Sequence, residues 1–233
     1  MKIERTKNAT KIIKAGFLLK IYQIVAPFIM RTVMIYYMGV EYLGLNSLFA
    51  SVLQVLNLAE LGVGSTMVFS MYKPIAQDDT RMVCALMRLY RRYYRIIGLV
   101  IGAVGLLLTP FIPKLISGDI PEGLSIYVMY LLNLGSTVLS YWLFAYKNCI
   151  LHAHQRSDVS YFITIITSTI QFAIQLWIIF AVKNYYLYII TMLGMQAVNN
   201  IMTAVVATKN NNYNILNGFI INSGNFYCKQ RKN

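Results

Sequence analysis

The sequence predicts an all-helical integral membrane protein, a bundle of six transmembrane helices, and three observations predict it. Of 233 residues, 58% are hydrophobic and 12% charged, against roughly 45 to 50% and 25% in a soluble domain, and the mean hydropathy is +0.56. Charged or polar clusters cut the chain into six apolar stretches, each long enough for the roughly 20 residues that cross a hydrocarbon core. Alternating strands are absent, and a backbone in lipid has to satisfy its own hydrogen bonds, so the spans are helices. The 21 Lys and Arg against 8 Asp and Glu sit in the gaps between these stretches. That placement speaks for membrane topology and against nucleic acid.

The first span, about 15 to 38, follows the basic segment MKIERTKNATKIIK and lacks a cleavage site, so it reads as a retained helix. At about 100 degrees per residue, Lys20, Gln23, Pro27 and Arg31 form one stripe along it. Arg31 lies about seven residues, roughly 10 Å, from the outer end of the span, too deep to snorkel comfortably. Two readings stay open: an ion pair with Glu60 or a backbone carbonyl that locks two helices, or binding of an anionic substrate. Lys20 sits nearer a membrane face, where snorkelling accounts for it.

The second span, about 43 to 71, aligns Asn46, Asn57, Glu60 and Gly64. The segment 73 to 95 then repeats apolar residues at helical spacing beside a dense basic face and predicts an amphipathic helix on the inner membrane surface. Asp78 and Asp79 within it do not read as a catalytic dyad. The third span, about 96 to 116, aligns Gly98, Gly102, Gly105 and Thr109, small residues that let another helix approach.

The fourth span, about 124 to 146, aligns Asn133, Thr137, Ser140 and Lys147, the last near the cytoplasmic interface where snorkelling also suffices. His152 and His154 follow it, without the Cys or carboxylate neighbours of a metal site, and suggest an interfacial role. The fifth span, about 159 to 182, aligns Thr164, Ser168, Gln171 and Gln175; the sixth, about 185 to 207, aligns Gln196, Asn200 and Thr203. Interhelical hydrogen bonding explains each such residue singly. Five polar stripes together predict a hydrated cavity.

Lys2, Arg5, Lys7, Lys11 and Lys14 precede the first span, and Lys73 to Arg95, Lys147 to Arg156 and Lys209 to Lys232 mark the same side. The opposite loops hold Lys114 and Lys183 beside Glu41, Asp119 and Glu122. Both termini are predicted to be cytoplasmic. Cys84, Cys149 and Cys228 are far apart, which suggests neither a disulfide framework nor a zinc site. With no GxxxxGK[ST], GxSxG or HExxH motif, the chain is not expected to be an enzyme or to need a cofactor or metal.

Residues 31 to 79 carry Arg31 ahead of GVEYLGLNSLF, then LAELGVGS, then FSMYKPIA; YRRYYRIIGLV and YKNCILHAHQRS follow with weaker likeness to about Lys209. In that order and spacing they resemble the N-terminal half of bacterial polysaccharide transport proteins, the oligosaccharide flippases of the multidrug, oligosaccharidyl-lipid and polysaccharide exporter superfamily. The resemblance implies translocation of undecaprenyl-pyrophosphate-linked oligosaccharide across the bacterial cytoplasmic membrane by two six-helix lobes rocking around a central cavity. It implies that Arg31, helped by Lys20 and Lys147, attracts the pyrophosphate, that Asn46 and Gln171 meet sugar hydroxyls, and that Glu60 serves coupling or helix pairing. Residues 1 to 209 then form one lobe. The polar, asparagine-rich 210 to 233 stands where a linker to a second lobe is expected and reads as a truncated or frameshifted ending. A second lobe, a homodimer and membrane lipids are the expected partners. The alternatives are a multidrug exporter of the same superfamily, for which Glu60 is the only intramembrane carboxylate in sight, and a non-transporting membrane remnant.

Overall fold

The computed structural model describes residues 5–57, 60, 62–116, 124–143 and 145–210. Lys2, Asp119, Glu122, Cys228 and the 211–233 tail therefore lie outside the described residues. Among those described, the elements are helical without exception: α1 (Arg5–Tyr37), α2 (Val40–Asn57), α3 (Val63–Ala76), α4 (Thr80–Leu108), α5 (Ile126–Trp142), α6 (Asn148–Ala153), α7 (Ser157–Trp177) and α8 (Tyr185–Asn210). A 3₁₀ turn, Thr109–Leu115, extends α4, and a π turn, Ile178–Val182, extends α7. Among the described residues four helices are long and apolar enough to cross a membrane: Ala9–Tyr37, Thr80–Leu115, Ser157–Val182 and Tyr185–Ala207.

The two predicted spans outside that set fall short for physical reasons. The stretch expected as one helix over 43 to 71 is broken: α2 ends at Asn57, and Gly62 adopts φ 87° before α3 begins. A side chain is strained in that left-handed conformation, so glycine permits the break. The Gly62 carbonyl accepts from Ser65 Oγ at 3.0 Å and Thr66 Oγ1 at 2.7 Å. The fourth stretch becomes α5, of 17 residues, about 25 Å at 1.5 Å per residue against a hydrocarbon core of about 30 Å. A 3₁₀ turn, Ala145–Lys147, then leads into the short α6.

The basic segment also differs from expectation. It does not form a separate surface helix, because Thr80 to Leu108 is one continuous helix. Val83, Met87, Tyr90, Tyr94, Gly98, Ile101 and Gly105 make a single buried face along its length, while Arg81, Arg88, Arg92 and Arg95 stay exposed. With its 3₁₀ extension it spans 36 residues, more than 50 Å, so its basic end overshoots any hydrocarbon core. Asp79 caps α4 by accepting from Met82 N at 3.0 Å, a structural use for half of the Asp78–Asp79 pair.

The glycine stripe packs against α5. A Cβ at Gly98 would lie 2.7 Å from Trp142 Nε1, one at Gly102 3.4 Å from Val138, and one at Gly105 would collide with Leu134. Tyr130 Oη donates to the Gly105 carbonyl at 2.9 Å across the same seam. On the other flank α1 lies along α7, with Tyr22 and Phe172 rings 6.1 Å apart and Thr169 Oγ1 donating to Tyr22 Oη at 3.1 Å. Ala15, Leu19, Met30 and Met34 are the buried side of α1. Ile24 and Phe28, about 70% exposed, look outward on the same side of α1 as Lys20 and Arg31.

Candidate functional site

A polar cavity of about 450 Å³ opens among α3 to α8. From the broken second span come Glu60, Gly64, Ser65 and Val68; from α4, Tyr94; from α5, Ser140 and Tyr141. The short α6 contributes Asn148, Cys149 and His152, α7 contributes Ser160 and Thr164, and α8 contributes Gln196, Asn199, Asn200 and Thr203. Four of the polar stripes visible in the sequence, those of the second, fourth, fifth and sixth spans, thus supply part of one cavity wall. On α8 the register is i, i+3, i+4, i+7, a single helical face.

Internal hydrogen bonds hold this wall. Asn148 Oδ1 accepts from Ser160 Oγ at 2.9 Å, Asn199 Oδ1 accepts from Thr167 Oγ1 at 3.0 Å, and Asn200 Nδ2 donates to the Ser140 carbonyl at 3.0 Å. Tyr141 Oη donates to Asn57 Oδ1 at 3.0 Å, and the Tyr94 and Tyr141 hydroxyls face Glu60. His152 bonds Ser157 Oγ through Nδ1 at 2.8 Å and meets the Tyr161 ring edge-on. Burial pulls His152 and His154 below the usual imidazole range. Cys149 is a buried free thiol beside Tyr94, whereas Cys84 is disulfide-bonded, where the cysteine spacing suggests no disulfide framework.

The first-span stripe does something else. Lys20, Gln23 and Arg31 are exposed on the flank of α1, and none of them reaches the cavity. Of the two readings of Arg31, the ion pair with Glu60 is not formed, whereas Arg156 and Asp158 pair at 3.4 Å. Lys147, expected to snorkel, is 3% exposed. Burial, then the positive charge of Arg91, pushes its ammonium down to about 8. Asn46 is half-buried on α2, and Gln171 hydrogen-bonds Gln175 at 3.5 Å within α7; neither lines the cavity.

The cavity also uses residues that the sequence stripes omit. Asn199 was legible, being three residues from Gln196 on the same face. Asn148, Cys149 and His152 were not, because a six-residue helix is too short to show a period. Among the described residues, no group of three or more His, Cys, Asp and Glu is placed to hold a metal ion. No family model, curated protein or solved structure matches the chain.

Proposed function

We propose that the chain is one lobe of a flippase for lipid-linked oligosaccharide in the bacterial cytoplasmic membrane, serving export of a surface polysaccharide such as an O-antigen or capsule. In this reading it crosses six times, with the paired α2–α3 and the short α5 completing the set and both termini cytoplasmic. The observation that carries it is the uncovered stripe of Lys20, Gln23 and Arg31 on α1, an exposed cationic face on the apolar part of that helix with no partner among the described residues. Charge at bilayer depth is costly unless it faces protein or water. A second lobe or second copy across the stripe would enclose a cavity whose wall attracts a diphosphate. The motif resemblance of residues 31 to 79 supplies the substrate.

Purified chain in lipid nanodiscs, titrated with an undecaprenyl-diphosphate-linked glycan, tests the reading. The expected result is saturable binding that Arg31→Gln weakens at least about tenfold, the order lost with one charge-assisted bond. Equal affinity of wild type and variant, or no preference over undecaprenol itself, would refute it. A second reading, a cation-coupled multidrug exporter, draws on Glu60, the one carboxylate at the inner cavity among the described residues.

A further inference from the structure

The inner cavity is physically separate from the α1 stripe and has a chemistry of its own. Among the described residues its lining carries one carboxylate, Glu60, and neither Lys nor Arg. A diphosphate would meet no cation there. A bound divalent cation calls for about six to eight oxygens at close range, and the described residues offer no acidic or His/Cys cluster for one. The volume, about 450 Å³, is that of an organic-ligand pocket.

The amides are what make it a built site. Each of three is fixed at one end by the bonds given above, which leaves the other end to the cavity: Asn148 and Asn199 keep their Nδ2 donors, and Asn200 keeps its Oδ1 acceptor. Gln196 lines the same wall with no bond to another described side chain. Fixed amide donors and acceptors at several angles match adjacent hydroxyls, each of which donates one bond and accepts two. Groups held in place before binding lose little further freedom when a ligand arrives.

We infer that the inner cavity binds a neutral, hydroxyl-rich ligand of one or two sugar rings, with Asn148, Gln196, Asn199 and Asn200 as its recognition groups and Glu60 excluding acidic sugars. This deepens the flippase reading only if the ring belongs to the lipid-linked glycan; a free sugar carries the same chemistry.

The test uses the full chain in nanodiscs with N,N′-diacetylchitobiose, a glucuronate disaccharide and sodium chloride as probes. Chitobiose is expected to bind saturably and to raise the unfolding temperature, with the glucuronate disaccharide at least tenfold weaker. Gln196→Leu is expected to weaken chitobiose about fivefold, one neutral hydrogen bond's share, without lowering the unfolding temperature of the free protein. Asn199→Leu is the second variant. The inference is overturned if chitobiose does not bind, if neither variant changes its affinity, or if the glucuronate disaccharide binds as well. It is also overturned if sodium displaces chitobiose competitively. Chitobiose linked to undecaprenyl diphosphate separates the sources. Weakening of both forms by Gln196→Leu, and of the lipid-linked form alone by Arg31→Gln, assigns the ring to the lipid-linked glycan. Weakening of the free form alone by Gln196→Leu assigns a free sugar. Indifference of the lipid-linked form to Arg31→Gln would sink the flippase reading and leave the cavity's ligand standing.

Discussion

The helical bundle has two polar surfaces, and they differ in charge, cover and internal bonding. The inner cavity is walled by neutral amides and hydroxyls with Glu60 as its acid, and its amides are tied into neighbouring helices. The outer stripe on α1 is cationic and exposed, with Lys20 and Arg31 bound to nothing else among the described residues. The inner residues hold the fold as well as lining a space, whereas the outer ones leave the fold indifferent to their identity. That contrast makes stability measurements diagnostic.

The largest effect is expected behind the inner cavity, at the seam between α4 and α5. A Leu at Gly105 would have to displace Leu134 and would disturb the Tyr130 bond to the Gly105 carbonyl. Overpacking of this kind costs about 1 to 3 kcal/mol, occasionally more, and the disturbed hydrogen bond adds to it, so Gly105→Leu should lower the unfolding temperature in detergent sharply; an unchanged transition would mean the two helices are not packed this closely.

The next effect is a pH dependence. Lys147 has a folded-state value of about 8 against about 10.4 unfolded. The unfolded chain therefore binds more protons between these values, and stability rises with pH across that window. The gain is on the order of 1 to 2 kcal/mol once solvent screening at the bundle end is allowed for. Unfolding temperature should climb from pH 8 to 10 in the wild type and lose that component in Lys147→Met. A parallel slope in both proteins would contradict the burial of this cation.

The smallest effect belongs to the outer stripe. Arg31→Gln should alter unfolding free energy by less than about 0.5 kcal/mol, as for an exposed residue without partners. A loss of 2 kcal/mol would show Arg31 to be a structural lock and would erase the distinction between the two surfaces.

Helix content and most of the cavity's stripes were legible in the sequence, because period 3.6 and apolar length act locally. Gln196, Asn200 and Thr203, for example, declare a face without any tertiary information. The break at Gly62 was not, since a lone glycine in an apolar run is common in membrane helices and only its φ of 87° reveals a bend. The burial of Lys147 was equally hidden. Its place one residue beyond a span suggested snorkelling, but the turn into α6 folds it under the bundle end. Nor does the amphipathic pattern of 73 to 95 say whether such a helix lies on a membrane or continues into it; the continuous buried face from Val83 to Gly105 decides that. The stripe of α1 was legible as a stripe, while its outward direction depends on how α1 packs against α7.

The flippase proposal requires the α1 stripe to border an aqueous, diphosphate-binding space and not lipid. A single cysteine at Gln23, in a background with Cys84, Cys149 and Cys228 replaced, reports this in membranes. Reaction with a water-soluble thiol reagent is expected, with protection by undecaprenyl diphosphate but not by undecaprenol. A cysteine at Gln23 that reacts only with a lipid-soluble reagent, or that undecaprenyl diphosphate fails to protect, would contradict it.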